Sequence, residues 1–471
     1  MVVAESTDVV IVGAGLSGLT AARDIQRAGF SCIVLEAEDR VGGMTLSVKR
    51  DSGVAIDTGA AWLNNTTQSH IWGLVQEFGL TAEPQDSEGE LLREMQDGSI
   101  ITGTEGNKQL TPDELKAMAS FYAQMGQLIE TVDPDKPHEH PDAAELDNMT
   151  LAEFCQKKSG NDLVLFLLNS SVRYLLGAEA DEISALWFFS YCKAGTGLQN
   201  MMSARKDGGQ HLRLREGTQT IAQNLASSLH PNTIRLSTPA TSITHSAHGC
   251  TTTTTAANPP IRSHRVILTL PSPLHQTITF TPPLPPPNHA LASAAHMGFS
   301  AKVTLVYPAP WWRAAGLSAI FESALGPVIY SRSTSVPSAG HHSITGFVVG
   351  APGRRWSALP AAERRAAVLR QLGNAFGAAV EGGVVPEPSE YVEEDWSRRA
   401  AFGGGPMPVL GKGVLTRVGE GVARTVGAVH FAGAETAGVW RGYMEGAVRS
   451  GVRSAEEVVA ALRKENLGGK L

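Results

Sequence analysis

Val9-Val10-Ile11-Val12-Gly13-Ala14-Gly15-Leu16-Ser17-Gly18 is the stretch that decides the fold of this chain. Four consecutive apolar residues are typical of a strand buried in a parallel sheet, and the glycines then follow the pattern G-x-G-x-x-G. We expect Gly13 to permit a tight turn, Gly15 to let the backbone approach a pyrophosphate, and Gly18 to let the next helix pack against the sheet. The N-terminus of that helix would direct unpaired N–H groups and a positive dipole at the phosphates.

A second apolar run, Cys32 to Leu35, predicts the next parallel strand, and it is followed by Glu36. This acid lies about 20 residues after the glycines, where a carboxylate can accept both hydroxyl groups of an adenosine ribose. An acid at this point favours an unphosphorylated ribose, so NADP is not expected. Strand, glycine loop, helix and acid together predict a Rossmann-type dinucleotide-binding unit.

The residues that follow distinguish NAD from FAD. The run Arg40-Val41-Gly42-Gly43 resembles the signature of the flavoproteins that have two dinucleotide-binding domains, and the run Asp57-Thr58-Gly59-Ala60-Ala61-Trp62 resembles their next flavin-contacting segment. Together these runs indicate FAD.

The composition describes a folded, non-basic protein. A chain of 471 residues is too long for one ordinary core, and it carries 42% hydrophobic and 18% charged residues. A net charge of −7 and a pI near 6.1 offer no basic face for nucleic acid or an anionic membrane. Four cysteines lie far apart without a C-x-x-C pair, so neither a zinc site nor a disulfide framework is expected.

Targeting signals are sparse. The first strand begins within about ten residues, which leaves no room for a signal peptide, and no run approaches the roughly 18 apolar residues of a membrane span. We therefore expect a cytoplasmic protein. The last residues, Gly469-Lys470-Leu471, resemble the S-K-L peroxisomal signal with a different first residue, which leaves a peroxisomal location as the alternative.

The order of helical and strand patterns predicts two domains. Helices are predicted at 68–78, 112–129, 151–158, 162–176, 182–192, 361–376 and 442–462, and strands at 234–236, 241–245, 251–255, 266–270, 301–307 and 344–349, with a short strand from Val429. The threonine run 251–255 is interpreted as a strand of a meander covering the sheet, and the proline-rich run 280–287 as a stiff crossover. We assign residues 1–82, 212–288 and 395–463 to a dinucleotide-binding domain, 83–211 and 289–394 to an inserted, largely helical substrate domain, and 464–471 to a tail.

Over nearly its whole length the chain resembles the flavin monoamine oxidase family. The most specific match is Gly442-Tyr443-Met444-Glu445-Gly446-Ala447, with further matches at 184–188, 208–210, 282–285, 431–436 and Trp396. The resemblance implies an α/β fold with a two-dinucleotide-binding-domain FAD unit and an inserted α+β substrate domain. It also implies small-molecule partners, an amine and O2, and it leaves a homodimer open.

The resemblance also implies roles for single residues. Lys302 would lie beside the flavin N5, where an ammonium can stabilise charge on oxygen during reoxidation. Tyr443 would form one wall of an aromatic cage, Met444 would direct a backbone N–H at the flavin, and Glu435 would bind its ribityl and phosphate region. The candidate catalytic residues are Lys302 and Tyr443. The candidate cofactor residues are Gly13, Gly15, Gly18, Glu36, Arg40, Gly42, Gly43, Ala60, Ala61, Trp62, Ala240, Trp396, Gly433, Glu435, Tyr443, Met444 and Ala447. The candidate substrate residues are Tyr174, Leu175, Gln210, Pro406 and Tyr443.

Four positions depart from the family pattern. Gly405 stands where the mammalian enzymes carry a flavin-linking cysteine, so FAD should be held noncovalently. Pro406 replaces the second cage aromatic, which makes room for a bulkier or aliphatic substrate. Met44 and Glu38 replace arginines, so neutralisation of the phosphates would depend on Arg40 and on helix dipoles.

The sequence therefore predicts FAD-dependent oxidative deamination of an amine, with O2 reduced to H2O2. A primary amine is the first expectation. An L-amino-acid oxidase, which needs an arginine for the carboxylate, and a polyamine oxidase, which needs acids along its channel, stay open. A non-enzyme alternative is a binding protein like the GDP-dissociation inhibitors, which share the architecture but lack the lysine and the G-Y-M-E-G-A run.

Overall fold

A computed structural model describes residues 5–51, 53–105, 110–255, 259–323, 325–380, 382–419 and 423–468. In chain order the strands are β1 Glu5–Val12, β2 Cys32–Leu35, β3 Ser47–Lys49, β4 Ala55–Asp57, β5 Ala82–Pro84, β6 Glu90–Glu94, β7 Ile100–Thr102, β8 Leu212–Leu214, β9 Ile234–Arg235, β10 Ala240–Ser246, β11 Gly249–Thr254, β12 Ile261–Leu268, β13 Thr279–Thr281, β14 His296–Met297, β15 Ser300–Tyr307, β16 Leu317–Ser323, β17 Tyr330–Ser333, β18 His342–Val349, β19 Glu390–Asp395, β20 Pro408–Val409 and β21 Val429–Phe431.

The α-helices are α1 Leu16–Arg27, α2 Ser69–Glu77, α3 Pro112–Thr131, α4 Ala143–Asp147, α5 Leu151–Ser159, α6 Asp162–Leu176, α7 Ala185–Ala194, α8 Leu198–Met202, α9 Gln219–Ser227, α10 Pro286–Ala294, α11 Trp311–Ala314, α12 Gly350–Ser357, α13 Ala361–Gly377, α14 Val414–Val418 and α15 Met444–Gly468. Among these, no helix combines the length and the apolar character that a membrane span needs. All four cysteines are free and buried. The C-terminal run 469–471 lies outside the described residues.

The first sheet has a parallel core in the order β9-β2-β1-β12-β21. Its centre is β1, in which Val9, Val10 and Ile11 are fully buried, as the apolar run predicted. The antiparallel pair β10 and β11 extends from the other part of β12, and its Ile243 and Cys250 share a core with Val10. The threonine run is therefore a strand of a meander that packs on the parallel sheet, as expected.

The second sheet has the order β19-β15-β18-β17-β16-β6-β7 and is antiparallel except for the β16–β6 pair. The sequence predicted a mostly helical segment between residues 83 and about 205, and the strands β6 and β7 within it were not predicted. The reason is that β6 is highly charged: only Leu92 is buried in it, and Arg93 pairs with Glu322 of β16 at 2.8 Å. Strands β16, β17 and β19 were missed as well.

The proline-rich run 280–287 is not a simple crossover. Its first residues form the end of β13, an edge strand that pairs in parallel with β10. Pro286 then begins α10, a position at which the missing N–H of proline costs no helical hydrogen bond. The run therefore joins one sheet edge to one helix.

The last helix, α15, is longer than predicted, because it continues through the residues assigned to the tail as far as Gly468. It packs tightly on α1. The hydroxyl oxygens of Ser17 and Ser450 lie 3.0 Å apart, and a Cβ at Gly451 would lie 2.4 Å from the carbonyl oxygen of Ser17. Small residues on both helices thus bring the two ends of the chain together.

Glu445 fixes α15 to the start of α2. Its side chain is fully buried, and its carboxylate accepts the backbone N–H groups of His70 and Ile71, the latter at 2.8 Å, and the Nε of Arg449 at 2.6 Å. We expect Glu445→Gln to lower the free energy of unfolding by about 1–3 kcal/mol, because an amide nitrogen would face donors. Urea unfolding measures this. Glu456→Gln, at an exposed position of the same helix, should change it by less than about 0.5 kcal/mol; equal effects would contradict the assignment.

Candidate active site

A cavity of about 650 Å³ runs from the glycine loop after β1 to the face of the second sheet. Its wall contains nearly all the candidate residues of the sequence. These are Gly13, Gly15, Glu36, Gly42, Gly43, Ala60, Ala61, Trp62, Tyr174, Leu175, Gln210, Ala240, Lys302, Trp396, Pro406, Gly433, Glu435, Tyr443, Met444 and Ala447. Gly18 and Arg40 are the two candidates that do not line it.

Gly13 and Gly18 of the glycine loop leave no space for a side chain. Gly13 has φ of +106°, and a Cβ there would lie 2.3 Å from Oγ1 of Thr269. A Cβ at Gly18 would lie 2.0 Å from the carbonyl oxygen of Gly13, which explains why Gly18 supports the loop without lining the cavity. Gly43 approaches Gly15 so closely that its Cβ would lie 3.0 Å from the Gly15 Cα. Bare backbone at the start of α1 therefore fits a pyrophosphate.

Glu36 lies at the end of β2 and lines the cavity. Its two carboxylate oxygens accept the backbone N–H groups of Ala14 and Glu38 at 2.7 and 2.8 Å. Burial raises its pKa, and these two hydrogen bonds oppose that rise. The carboxylate is thus oriented next to the glycine loop, where a ribose fits.

Arg40 holds the second glycine pair and does not face the cavity. Its guanidinium donates to the carbonyl oxygens of Gly43 and Thr45 at 2.8 and 3.1 Å. Arg40 thus shapes the second glycine loop, and its contact with a phosphate stays a prediction. Glu38, which lines the cavity, pairs with Arg399 at 2.7 Å. No sequence pattern indicated Arg399, because 361 residues separate it from Glu38.

Lys302 lies on β15 and points at the cavity from a buried position. Its Nζ donates to the carbonyl oxygen of Gly59 and, at 3.4 Å, to that of Asp57. The same nitrogen lies 4.8 Å from the ring centroid of Trp62 and 5.4 Å from that of Phe347. Burial lowers the pKa of Lys302 to about 8, and the neighbouring Asp57 carboxylate opposes this.

Asp57 begins the run 57–62 that resembles a flavin-contacting segment, but the sequence predicted no role for this residue itself. Burial raises its pKa, while hydrogen bonds from the Ser47 hydroxyl at 2.5 Å and the Thr218 N–H at 3.0 Å lower it. Its position directly before Thr58-Gly59-Ala60 was a usable signal. The carboxylate compensates part of the positive charge of Lys302.

Tyr443 and Tyr191 form the aromatic end of the cavity wall. Tyr443 packs edge-on against Trp440 at 4.9 Å, and Tyr191 stacks on Trp187 at 5.7 Å. Burial raises the pKa of both tyrosines, and a hydrogen bond with Tyr191 opposes the rise at Tyr443. Tyr191 was not among the site residues that the sequence predicted. Its position four residues after Trp187, on the same helix face, could have indicated the pair.

The residues expected to contact the substrate lie at this same end. The Tyr174 ring contacts those of Tyr330 at 4.6 Å and Phe347 at 5.3 Å, and Leu175 and Pro406 complete the wall. The amide oxygen of Gln210 accepts a hydrogen bond from Arg332 at 3.2 Å.

Two of the departures from the family pattern are neighbours in space. A Cβ at Gly405 would lie 2.5 Å from the terminal methyl of Met44, which also lines the cavity. The Met44 side chain thus fills the space in which a side chain at 405 would begin. Nearby, the Trp396 indole donates to the Thr58 carbonyl oxygen at 2.9 Å.

Glu435 lines the cavity, but its carboxylate already has partners. It accepts the N–H of Ser272 at 2.6 Å and the hydroxyl of the same residue at 2.9 Å. Burial raises its pKa to about 7, and the hydrogen bonds and Arg441 oppose this.

Comparisons with known proteins agree with this geometry. A family model described as flavin containing amine oxidoreductase matches residues 16–459. The chain is 30% identical over 461 residues to a probable flavin-containing monoamine oxidase A of Dictyostelium discoideum, covering 98% of this chain and 99% of the relative. It is 30% identical over 473 residues to an L-amino acid dehydrogenase of Synechocystis sp., covering 98% and 97%.

A solved structure, cyclohexylamine oxidase from Brevibacterium oxydans IH-35A, is similar with a TM-score of 0.88 and 30% identity, and the match covers 97% of this chain and 99% of that one. The resemblance inferred from the motifs is confirmed, as is the α/β fold with a Rossmann-type FAD unit. The alternative interpretation as a non-enzymatic binding protein is therefore wrong. The chain belongs to the flavin-containing amine oxidoreductases, and it is an FAD-dependent amine oxidase.

Proposed function

We propose that this enzyme deaminates a primary amine in the part of the cavity between Lys302 and Tyr443. The supporting observation is that these two residues line the same cavity as the glycine loop and Glu36. The balanced reaction converts RR′CH-NH2, O2 and H2O to RR′C=O, NH3 and H2O2, where R′ is hydrogen, a carbon substituent or a carboxylate. FAD, when bound, supplies the two-electron acceptor for the amine and the donor for O2.

We propose that the backbone of the two glycine loops and the carboxylate of Glu36 hold the dinucleotide part of FAD. Support comes from the tight glycine contacts described above and from the orientation of the α1 N-terminus. Trp396, Tyr443, Met444 and Ala447 line the same cavity and would hold the flavin part. Because Gly405 has no side chain, FAD is held noncovalently.

The charges near the substrate end favour a neutral amine. Three cations, Lys302, Arg213 and Arg332, are buried here. The charges of the two arginines and of Asp57 all act on Lys302. Such a cluster disfavours an ammonium ion, so the substrate binds after losing its proton. No side chain then needs to act as a general base.

We propose that Lys302 stabilises the negative charge that develops on oxygen as O2 is reduced. The ammonium is fixed by two carbonyl oxygens and two aromatic rings, so it needs little reorganisation during the reaction. Tyr443 and Tyr191 provide an apolar wall that positions the α-carbon and excludes water.

The experiment is an amine panel assayed for peroxide. Purified yellow holoenzyme is incubated with aryl, alkyl and cyclic primary amines, secondary amines and polyamines. We expect stoichiometric H2O2 and aldehyde or ketone with at least one primary amine, and bleaching of the flavin absorbance under anaerobic conditions. Absence of both signals with every amine would contradict the proposal.

The choice among substrate classes is open, because relatives named for cyclohexylamine and for L-amino acids are equally similar. A polyamine oxidase stays open as well, because a solved putrescine oxidase is similar to this chain with a TM-score of 0.88 and 27% identity. The acids among the described lining residues are Glu36, Glu38 and Glu435, and each accepts hydrogen bonds from other groups of the protein.

We also propose the division into residues 1–82, 212–288 and 395–463 for the FAD domain and 83–211 and 289–394 for the substrate domain. Its support is that the strands of the first sheet lie in the former segments, and those of the second sheet, apart from the end of β19, in the latter.

A further inference from the structure

Arg332 is a buried arginine at the centre of the second sheet. It lies on β17, where it pairs with Thr345 of β18, and it is 2% exposed. The residue two positions earlier, Tyr330, projects to the same face of the strand, and the Arg332 Cζ lies 5.9 Å from its ring centroid. Arg332 therefore lies on the face of β17 that carries Tyr330, and it is not itself among the residues that line the cavity.

Three residues of the cavity wall contact this guanidinium. Its Nη1 donates to the amide oxygen of Gln210 at 3.2 Å, and its Cζ lies 5.2 Å from the ring centroid of Trp62. The third is Tyr174, whose pKa is raised by burial and lowered by a hydrogen bond with Arg332. The guanidinium thus lies directly behind the wall that these three side chains form.

The charge of Arg332 has no carboxylate partner among the described residues, and its Nε has no hydrogen-bond partner. Arg213, the nearest comparable residue, donates to the carbonyl oxygens of Thr334 and Ser335 and faces Asp57 and Glu83. A buried charge is costly unless it is paired. Arg332 therefore combines a buried charge that has no carboxylate partner with an unsatisfied Nε–H, which belongs to the edge of a guanidinium that a planar anion binds.

The surroundings of Arg332 are positive. Lys302 and Arg213 lie within electrostatic reach of it, and Asp57 is the carboxylate that acts on both of them. A second ammonium group on a substrate would be repelled here, whereas a carboxylate would be attracted.

We infer that Arg332 is the recognition group for a carboxylate carried by the substrate, so that the enzyme acts on amino acids in preference to simple amines and polyamines. The inference rests on the proposed function, because it requires that amines are oxidised in this cavity. The carboxylate replaces the weak contact with Gln210 and takes two N–H groups of the guanidinium. The amine then lies on the side of Lys302 and Tyr443.

The test compares matched substrates with the holoenzyme. The pairs are 2-phenylethylamine with L-phenylalanine, and hexylamine with 6-aminohexanoate, with 1,4-diaminobutane as the polyamine. We expect kcat/KM to be at least about tenfold higher for a carboxylated member than for its partner, and lowest for the diamine. The better of the two carboxylated compounds shows how far the carboxylate lies from the amine.

Arg332→Met should lower kcat/KM for the carboxylated substrate by about 10²-fold or more, mainly through KM, and reverse the preference within the pair. Arg332→Lys should keep part of the wild-type preference for the carboxylated substrate, because lysine supplies the charge but not the two parallel N–H groups. The matched control is Arg93→Met. Arg93 lies in the same sheet and is paired with Glu322, and this variant should keep the wild-type preference.

A binding measurement separates this inference from catalysis. Phenylacetate, a carboxylate without an amine, should perturb the flavin absorbance and raise the Tm of the wild-type holoenzyme, and should do neither in Arg332→Met. If Arg332→Met does not fold, a phenylacetate titration of Arg332→Lys replaces it. This variant should bind phenylacetate more weakly than the wild-type protein.

The outcomes are distinguishable. If simple amines are oxidised as well as their carboxylated partners, or if Arg332→Met leaves the preference intact, the inference is overturned and the proposed function stands. If phenylacetate binds in an Arg332-dependent manner but no amine or amino acid is oxidised, the proposed function fails and carboxylate recognition by Arg332 remains. If phenylacetate binds equally well to both proteins, the inference is overturned.

Discussion

Lys302→Met is expected to slow the reaction of the reduced holoenzyme with O2 by about 10²- to 10³-fold, the usual cost of removing one preorganised donor from developing charge. The anaerobic oxidation of the amine should slow much less. The difference arises because the Lys302 ammonium acts on charge that appears on oxygen, and because methionine keeps the apolar part of the side chain between Trp62 and Phe347.

Stopped-flow absorbance measures both half-reactions separately. The control is Lys157→Met, which removes an exposed lysine that pairs with exposed Glu145. An equal slowing of amine oxidation and of the O2 reaction by Lys302→Met would mean that the lysine has a structural role only.

The same residue predicts a pH dependence. Burial lowers the pKa of Lys302 to about 8, so the ammonium is present below this pH and is lost as the pH rises through it. The O2 reaction of the wild-type enzyme should therefore be fast below pH 8 and fall above it. In Lys302→Met this decline should disappear.

Gly18→Ala is expected to yield protein that has lost most of its FAD. A Cβ at Gly18 would lie 2.0 Å from the carbonyl oxygen of Gly13 and 3.3 Å from a methyl of Ile11, so the loop must move away from α1. The first contact is with backbone, which cannot rotate away as a side chain can. We expect unfolding to become easier by about 1–3 kcal/mol in addition to the loss of cofactor. Flavin absorbance per protein and urea unfolding measure the two effects.

Gly126→Ala is the matched control, since Gly126 lies inside α3 and a Cβ there would meet nothing within 4 Å. It should retain FAD and gain about 0.4–1 kcal/mol of stability, because alanine restricts the unfolded chain. A Gly18→Ala protein that purifies with a full complement of FAD would contradict our interpretation of the glycine loop.

The dinucleotide-binding part of the fold could be predicted because its signals are local. The run from Val9 to Gly18 contains a strand, a turn and a helix start, and each depends on neighbours in the sequence. The same holds for α6, whose predicted bounds Asp162–Leu176 are those observed. Lys302 was reached through the resemblance to a family, and its proposed role stays a prediction.

Strand β17 and Arg332 could not be predicted, because a strand reading Tyr-Ser-Arg-Ser looks like an exposed loop. It is buried because its polar groups find partners across the sheet, as when the Ser331 hydroxyl donates to the Ala319 carbonyl oxygen at 2.9 Å. Arg399 was missed for a related reason: its partner Glu38 is distant in sequence, and no spacing rule connects them.

The packing of α15 on α1 makes the cofactor site depend on both of these helices. The hydroxyls of Ser17 and Ser450 both accept the N–H of Gly433, which lines the cavity, and Met444 and Ala447 of α15 line it as well. We expect a chain truncated before Met444 to bind no FAD, because it would lack this wall of the cavity.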